Sequence, residues 1–482
     1  MRQQDQQMTR DVAAFIEQGF LQMQSSLGDE FHQSLYTSIG KLFGSMREGF
    51  NPHNNVMPML PKLWQVLDDP SVKQTLTTLL GKDYLIHPHR HPHVNPPRPD
   101  LATPAMMQAF HKDGHAVKPR PRHREPWWAL LFYYPQTVTL NNGPTALLPG
   151  THLIPTLAPG RSPSNEPTSL TETEGGLLLP EDYIQREAKP LICPAGTLAL
   201  CHFDIGHGAM LNGTAEHRWA VKFVVMRTEQ PSVEPKRTLS MQRPVHQHLT
   251  HWLGYAGDQT QQIGIEFTDW QRAFKGENIH ARIDALYQVG GVDNEPAVRD
   301  ALLGEIYKHQ LNEGSDWVLE IADASNGLAQ LNDHSPIADL LKAERPEALI
   351  NGCYAAGQTG DSVFSESLIK LTAHKHPFVQ RHAMSALGLL GTHARDNTIN
   401  ALARVIHEEK DWDLRLYAVQ SLIRQGLTTA AIPALTRAAH DLNPYVNAFA
   451  IEQLCRIDDD EARQAVLEPL RRWRWIDDPR YW

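Results

Sequence analysis

The chain has 482 residues, a formal net charge of −10 and 41% hydrophobic residues. These values are typical of a globular protein with two or three domains. The acidic balance, without a long basic run, argues against nucleic-acid binding as the main task. The four cysteines form no CxxC pair, no apolar run is long enough to span a membrane, and the first residues contain no signal-peptide core. We therefore expect a cytoplasmic protein without nucleic-acid or membrane partners.

The N-terminal half changes from a helical to a β-type pattern. Residues 1–80 show helical periodicity, as in "RDVAAFIEQGFLQMQSSL". Between residues 84 and 230, short β-rich runs alternate with turn signals, as in "WWALLFYY" (127–134), "TLALCHFDI" (197–205) and "WAVKFVVMR" (219–227). The pattern predicts an antiparallel β-sandwich or barrel with helices packed outside it.

The residues after about 279 form a repeated helical pattern. Four blocks of equal length align with one another: "PEALINGCYAAGQTG" (346–360), "PFVQRHAMSALGLLG" (377–391), "WDLRLYAVQSLIRQG" (412–426) and "PYVNAFAIEQLCRID" (444–458). Their first residues lie 31, 35 and 32 positions apart, and a second amphipathic stretch follows each block. This period predicts paired helices stacked into an α-solenoid, and the pattern resembles HEAT repeats.

Together these patterns predict a multidomain chain. We expect a β-rich domain at residues 1–235, a linker with one helical segment at 236–278, and an all-α HEAT-like solenoid at 279–482. Because a solenoid presents a concave surface, we expect it to bind a protein partner or a second copy of the chain.

A metal site is indicated by "AFHKDGHAV" (109–117). Side chains two positions apart on an extended segment point to the same side, so His111 and Asp113 can bind one ion together. A non-haem Fe(II) site needs a second imidazole. The best candidate is His207, in "CHFDIGHGAMLNGTAEHRWAVKF" (201–223), where a turn and a returning strand would bring Arg218 beside the metal. A guanidinium there can bind a carboxylate through two hydrogen bonds.

Three segments in this order resemble the phytanoyl-CoA dioxygenase (PhyH) family: "FHKDG" (110–114), "NNGPTALLPGTHL" (141–153) and "HGAMLNGTAEHR" (207–218). The resemblance spans roughly residues 10–230. It implies a double-stranded β-helix, a jelly-roll form of the sandwich. Carried over by position, His111, Asp113 and His207 are the catalytic iron ligands, and Arg218 binds the far carboxylate of 2-oxoglutarate.

The resemblance further implies an Fe(II)-dependent dioxygenase that uses 2-oxoglutarate and O₂, releases succinate and CO₂, and most often hydroxylates its substrate. The substrate is then a small molecule that the family name does not identify. One alternative is a non-catalytic metal-binding scaffold whose HEAT-like repeats bind a protein partner. Another is a zinc hydrolase on a cupin-like barrel, which would leave Arg218 without an evident task.

Three features need separate interpretation. The family often has Ser or Thr two residues after the distal histidine, but this chain has Ala209 there, so another donor is expected in the co-substrate pocket. The tract "HPHRHPHVNPP" (87–97) favours a pocket-lining strand over a second metal site. The rival pair His202 and Asp204 favours a structural or ligand-orienting role.

Overall fold

The computed structural model describes residues 2–44, 55–113, 121–157, 170–173, 176–231, 237–257, 264–308 and 322–474. Internal contacts divide the chain into two compact units. The first unit consists of residues 1–227, 231–242 and 249–258, and the second of residues 228–230, 243–248 and 259–482. Residues of the expected linker, 236–278, therefore occur in both units. None of the helices in the described ranges is both long and apolar enough to cross a membrane.

The first unit consists of eleven strands with helices before, between and after them. The strands are β1 Phe20–Gln24, β2 Leu85–Asn95, β3 Trp128–Tyr134, β4 Thr145–Leu148, β5 Thr156–Leu157, β6 Leu170–Thr173, β7 Gly176–Leu178, β8 Lys189–Pro190, β9 Thr197–His202, β10 Gly206–Ala209 and β11 Arg218–Met226. The helices are α1 Arg2–Gln18, α2 Asp29–Gly44, α3 Leu63–Asp68, α4 Pro70–Leu80, α5 Glu181–Glu187 and α6 Pro244–Trp252, the last of which contributes residues to both units.

Two antiparallel sheets form the β-rich part. The larger has the order β1-β9-β3-β11-β2, and the smaller has the order β10-β4-β8. Side chains from both sheets share one buried cluster, including Leu130 and Phe132 of β3, Leu147 of β4, and Ala220 and Val224 of β11. Strands β3, β9 and β11 are buried on both faces, which is why they occur in the sequence as short, mainly apolar runs that could be predicted. The predicted antiparallel sandwich is therefore confirmed. A third small sheet contains β5, β6 and β7.

The helical prediction for residues 1–80 is wrong between Phe20 and Gln24. Gly19 ends α1 with a positive φ of 82°, and Phe20–Gln24 then pairs antiparallel with β9. A Cβ atom at Gly19 would lie 2.5 Å from Nδ1 of His152, so only glycine fits this turn. The helical periodicity of the sequence continues through this point, but pairing with β9 determines the backbone conformation.

The described residues of the second unit form helices joined by short loops, and no strand occurs among them. Its helices are α7 Phe267–Lys275, α8 Ile279–Leu286, α9 Glu295–Lys308, α10 Ala324–Ala329, α11 Ser335–Leu340, α12 Pro346–Thr359, α13 Ser365–Leu371, α14 Pro377–Leu390, α15 Arg395–Glu408, α16 Trp412–Ile423, α17 Ile432–Ala439, α18 Pro444–Leu454 and α19 Asp460–Arg474. Short 3₁₀ turns occur at Val289–Gly291, Ser362–Phe364, Gly391–Ala394 and Thr429–Ala431. The prediction of an all-α C-terminal region is confirmed.

A buried carboxylate joins the end of β1 to the start of α4. Asp69 is 2% exposed, and its Oδ2 accepts hydrogen bonds from the hydroxyl of Ser25 (2.9 Å) and from the backbone N–H of Ser26 (2.7 Å). Its Oδ1 accepts from the backbone N–H of Ser71 (2.9 Å), which makes Asp69 the N-cap of α4. Burial alone would raise the pKa of Asp69, but these hydrogen bonds outweigh it and lower the pKa well below its ordinary value.

We expect Asp69→Ala to destabilise the first unit by about 3 kcal/mol, because it removes a helix cap and leaves buried donors unpaired. Since the pKa of Asp69 is lowered by folding, its stabilisation is complete above the ordinary carboxyl pKa and is lost as the pH falls further. Chemical unfolding at pH 7 and at acid pH should therefore show a difference between wild type and variant that shrinks in acid.

The neighbouring Asp68 provides the matched control. Its carboxylate is 59% exposed and pairs with Lys73 at 2.8 Å. We expect Asp68→Ala to change the unfolding free energy by less than about 1 kcal/mol. Equal losses in the two variants would contradict the role assigned to Asp69.

Candidate metal and co-substrate site

Two imidazoles meet where the segment before Asp113 crosses β10. His111 and His207 form a one-residue antiparallel bridge, in which each backbone N–H donates to the other residue's carbonyl at 2.9 Å. Residues directly opposite each other in such a bridge project their side chains to the same face. The two ring centroids are accordingly 4.4 Å apart. This pairing brings together two histidines that are far apart in the sequence.

Backbone carbonyls orient both rings. Nδ1 of His111 lies 3.2 Å from the carbonyl oxygen of Ala109, and Nδ1 of His207 lies 3.1 Å from that of Ile205. A carbonyl can only accept, so Nδ1 carries a proton in each ring, and Nε2 is the nitrogen left to bind a metal. Burial is the main reason that the pKa of His207 falls to about 4, which leaves this imidazole neutral at physiological pH. Neutral imidazoles with free Nε2 atoms are the form that binds a metal.

Asp113 completes the cluster. Its Oδ1 lies 3.8 Å from Nε2 of His111 and 3.9 Å from Nε2 of His207. Among the described residues, none donates a hydrogen bond to this Oδ1. Lys112, between the two ligands, points away from them and donates to the carbonyl of Ile154 at 2.8 Å, although it is buried rather than solvent-facing. The alternation expected from the sequence is therefore seen in the structure.

Lys222 contacts the other oxygen of Asp113. Its ammonium forms an ion pair with Oδ2, and its side chain is only 10% exposed. Burial of Asp113 would favour the protonated acid, but the Lys222 charge is the largest opposing influence, and the pKa of Asp113 is held far below its ordinary range. Asp113 is thus an anion in the folded protein, with one oxygen held by Lys222 and the other directed to the histidines.

Arg218, the first residue of β11, is a second buried cation on the same strand. It is 3% exposed, and its Nε donates to the carbonyl of Gly143 at 2.8 Å. Among the described residues, no carboxylate lies within ion-pair distance of its guanidinium. Burial is the main influence lowering the pKa of Arg218, but arginine remains protonated at working pH. A buried, charged guanidinium without a counter-ion is costly unless an anionic ligand binds there.

The segment "NNGPTALLPGTHL" (141–153) and the segment "HGAMLNGTAEHR" (207–218) come together around Gly143. Asn95 donates through Nδ2 to the carbonyls of Gly143 (2.9 Å) and Met210 (2.7 Å). Asn212 in turn donates to the carbonyl of Asn95 at 3.0 Å. Gly143 has a φ of 75°, and a Cβ atom there would lie 2.3 Å from Nδ2 of Asn95. The Asn-Gly-Pro segment and the asparagine after His207 therefore fix the backbone that positions Arg218.

Ala209 has no hydroxyl group, but the residue opposite it on the neighbouring strand has one. Ala209 lies directly opposite Thr145 in the β10–β4 pair, so their side chains share a face. The hydroxyl of Tyr134 donates to Oγ1 of Thr145 at 2.9 Å, and the Tyr134 ring lies close enough to Arg218 to affect its pKa. Burial raises the pKa of Tyr134, so its phenol stays protonated. Tyr134 and Thr145 thus form a buried hydroxyl pair, with Tyr134 near Arg218, that the sequence did not reveal.

The rival His202 and Asp204 lie outside the ligand cluster. His202 places Nε2 3.1 Å from the carbonyl of Arg124, and its Nδ1 accepts the backbone N–H of Asp204 at 3.1 Å. Asp204 forms an ion pair with Arg122, whose Nη2 donates to the backbone carbonyl of Asp113 at 3.2 Å. The pair therefore supports the segment that carries Asp113.

The histidine tract forms much of β2. This strand pairs with β11, and His91 lies opposite Lys222. Within the part of the chain that the structure describes, His111, Asp113 and His207 form the one group of three metal-ligating side chains whose donor atoms all lie within 4.8 Å of one another. The tract thus has no second cluster of that kind, and it lies beside the site as a lining strand. His115 lies outside the described residues.

The donor set fits Fe(II). Two neutral imidazoles and one carboxylate are the ligands of non-haem iron oxygenases, whose remaining metal positions are open to co-substrate. Asp113 Oδ1 and the two Nε2 atoms lie within 4.8 Å of one another, and the carboxylate charge favours a cation. Arg218 is a buried guanidinium, a group that can bind a carboxylate through two hydrogen bonds.

Residues 17–220 match the family model of phytanoyl-CoA dioxygenase (PhyH). The matched segment includes His111, Asp113, His207 and Arg218. Enzymes of the phytanoyl-CoA dioxygenase family depend on Fe(II) and 2-oxoglutarate and consume O₂, so the match indicates an Fe(II)/2-oxoglutarate-dependent oxygenase domain. Together with the His-Asp-His cluster, it confirms the predicted cofactor and co-substrates.

Several crystal structures are similar to part of the chain. The α-ketoglutarate-dependent epimerase SnoN from nogalamycin biosynthesis is 16% identical, with a TM-score of 0.35, covering 46% of this chain and 84% of its own. EctD from S. alaskensis, with 2-oxoglutarate and 5-hydroxyectoine, is 15% identical, with a TM-score of 0.34 and coverages of 45% and 76%. EvdO2 from Micromonospora carbonacea var. aurantiaca, with 2-oxoglutarate, is 19% identical, with a TM-score of 0.33 and coverages of 45% and 90%. No curated protein sequence matches the chain.

Proposed function

We propose that residues 1–235 form a double-stranded β-helix dioxygenase that hydroxylates a small molecule with conversion of 2-oxoglutarate to succinate and CO₂. The observation that carries this proposal is the combination of the His111–Asp113–His207 cluster with Arg218, a buried cation that has no carboxylate partner among the described residues. A zinc hydrolase would use the cluster but would leave Arg218 without a ligand. The four cysteines are free, which supports a cytoplasmic setting.

Each residue then has a defined task. His111, Asp113 and His207 hold Fe(II), which supplies the binding and activation of O₂ when it is bound. Arg218 binds and orients the far carboxylate of 2-oxoglutarate, and Lys222 keeps the second oxygen of Asp113 occupied. Burial of Arg218 and of the apolar cluster around Phe132 excludes water from the co-substrate pocket.

The experiment that tests this function is succinate formation by the full-length protein. We expect succinate when Fe(II), 2-oxoglutarate and O₂ are all present, and none when any of them is omitted. The amount should rise when an accepted substrate is added, which makes the assay a screen for substrates. Failure to form succinate with correctly folded, iron-loaded protein would contradict the proposal.

We further propose that Thr145 replaces the hydroxyl missing at Ala209. Thr145→Val keeps the shape of the side chain but removes its hydroxyl, so we expect 2-oxoglutarate affinity to fall by about tenfold, the usual effect of one hydrogen bond to a charged group. Iron affinity should not change. Calorimetric titration with 2-oxoglutarate measures the effect.

The cross-strand register offers a rescue experiment for this prediction. Ala209→Ser in the Thr145→Val background returns a hydroxyl to the opposite strand, and we expect it to restore part of the lost affinity. Thr137→Val, at an exposed position, is the matched control. An unchanged 2-oxoglutarate affinity in Thr145→Val would rule out this role.

For the second unit we propose HEAT-like pairing of helices. Successive first helices of the repeats, α12, α14, α16 and α18, contact one another in order, and so do the second helices α13, α15, α17 and α19. Glycines allow close approach: a Cβ atom at Gly357 would lie 3.0 Å from Cα of Ala386, and one at Gly388 would lie 3.0 Å from Oγ of Ser421. The order of these contacts supports a stacked array that can bind a protein partner or a second copy of the chain.

A further inference from the structure

The buried ammonium of Lys222, next to the proposed metal ligands, has more N–H donors than its contact with Asp113 uses. Lys222 lies on β11 between Phe132 of β3 and His91 of β2, in register with both. Its residue exposure is 8%, and Asp113 is the one carboxylate that pairs with it among the described residues. An ammonium carries three N–H groups, so the ion pair with Asp113 leaves donors without an acceptor in the described structure. Burying such donors is costly unless a ligand satisfies them.

Three imidazoles of β2 lie near Lys222: His91 is its register partner, and burial and then the Lys222 charge lower the pKa values of His89 and His93. The ring centroids of His91 and His93 are 5.9 Å apart, and those of His89 and His93 are 6.2 Å apart. β2 has extra residues between its pairings with Phe223 and Val225, which bends the strand near His89. Nε2 of His89 and Nδ1 of His91 are buried and have no hydrogen-bond partner among the residues that the structure describes. We call Lys222, His89, His91 and His93 the Lys222 wall.

The solvent exposure of the residues in the Lys222 wall increases from Lys222 to His93. Lys222 is buried beside Asp113, His89 and His91 are half-buried, and His93 is exposed. Burial, and then the nearby Lys222 charge, lower the pKa of His89 to about 4, so its imidazole is neutral at physiological pH. The wall therefore combines one fixed positive charge with neutral hydrogen-bonding groups that extend towards solvent.

With Fe(II) and 2-oxoglutarate bound, the formal charges at the site would not sum to zero. Positive charge comes from Fe(II), Lys222 and Arg218, and negative charge comes from Asp113 and dianionic 2-oxoglutarate. With neutral histidines, one positive charge remains uncompensated. A buried excess charge is unfavourable, and a monoanionic group next to Lys222 would remove it. A dianionic phosphate would instead leave an excess of negative charge.

We propose that the Lys222 wall binds a carboxylate group of the primary substrate, with Lys222 and His93 as its donors. This inference rests on the proposed oxygenase function and adds the substrate class, a carboxylic acid. Lys222 thereby becomes a substrate-binding residue as well as the partner of Asp113. The substrate enters past His93, and its acid group anchors it beside the iron ligands.

The test compares acids with their neutral amides. Full-length protein loaded with Zn(II) and 2-oxoglutarate is titrated with formate, acetate and benzoate, and separately with formamide, acetamide and benzamide, using ligand-observed NMR. We expect at least one acid to bind about tenfold or more tightly than its amide, as for a charge-assisted hydrogen bond. Lys222→Met should abolish this preference, whereas Lys222→Arg should retain most of it.

Because Lys222→Met could disturb Asp113, a second variant tests the same proposal without changing Lys222. His93→Phe leaves the contact between Lys222 and Asp113 in place, and we expect it to reduce the preference for acids several-fold. Lys189→Met, at an exposed lysine of β8, should leave the preference unchanged. The proposal is overturned if no acid binds, if acid and amide bind equally, or if both wall variants retain the wild-type preference.

The affinity of Lys222→Met for 2-oxoglutarate distinguishes a role of Lys222 in substrate binding from a role in co-substrate binding. Because Arg218 holds 2-oxoglutarate in our account, Lys222→Met should change 2-oxoglutarate affinity much less than acid affinity. The opposite pattern would assign Lys222 to the co-substrate and would overturn the inference while leaving the oxygenase intact. A wild-type protein that forms no succinate with Fe(II) would instead contradict the proposed function itself.

Discussion

Asp113→Ala is expected to lower Fe(II) affinity by more than about 100-fold and to abolish succinate formation, because losing even an outer-shell partner of a metal ligand typically costs 10–100-fold. Asp113 is the one anion in the ligand cluster, and its Oδ1 faces both Nε2 atoms. The variant also leaves the Lys222 ammonium buried without its partner, next to any bound cation. Equilibrium dialysis with Fe(II) under anaerobic conditions measures the loss.

A double variant separates ligation from folding. Removing one partner of a buried ion pair typically costs 3–5 kcal/mol, so we expect Asp113→Ala to be less stable by roughly that amount. Adding Lys222→Met should recover much of the stability but none of the iron affinity. Asp182→Ala, at an exposed aspartate of α5, is the matched control and should behave as wild type. Iron binding that survives Asp113→Ala would exclude Asp113 as a ligand.

Arg218→Ala is expected to weaken 2-oxoglutarate binding by about 30-fold or more, since truncating one partner of a buried charge pair costs about 2–5 kcal/mol. Iron affinity should stay within a factor of about three of wild type, because Arg218 does not touch the ligand cluster. The reason for the selectivity is the position of Arg218 at the start of β11, four residues before Lys222 and held by Gly143. Calorimetric titration of the Zn(II)-loaded protein with 2-oxoglutarate gives the affinity.

Two further variants sharpen this prediction. Arg218→Lys keeps the charge but loses the two-pronged geometry, so its affinity should lie between those of wild type and Arg218→Ala. Arg186→Ala removes an arginine that is 56% exposed and should have no effect. If Arg218→Ala loses iron and 2-oxoglutarate affinity equally, Arg218 has a structural role rather than the one we assign.

The sequence predicted the parts of the site that depend on local alternation. His111 and Asp113 lie two positions apart, so any extended conformation directs them to one side. The β-rich runs around Phe132 and Val224 were also predictable, because buried strands carry apolar β-branched and aromatic residues. The bridge between His207 and His111 joins distant segments, so local alternation could not pair them. His207 was proposed from its place after a predicted strand, and the family resemblance then supported it.

Residues whose role depends on strand register could not be predicted. Lys222 stands within the apolar run "WAVKFVV", and no local pattern indicates that Asp113 is its partner. The one sequence feature that indicates a role for Lys222 is its position four residues after Arg218, which places both side chains on the same face of β11. Thr145 likewise gains its place opposite Ala209 from the β4–β10 register alone. The conversion of Phe20–Gln24 to a strand also depends on pairing with a distant segment, β9.

The most direct test of the central claim is the visible spectrum of the full-length protein titrated with Fe(II) and 2-oxoglutarate without O₂. Our account predicts a weak charge-transfer band that needs both components, because the keto acid must chelate iron held by His111, Asp113 and His207. Asp113→Ala should show no band. A wild-type protein that binds Fe(II) yet develops no band at saturating 2-oxoglutarate would contradict the account.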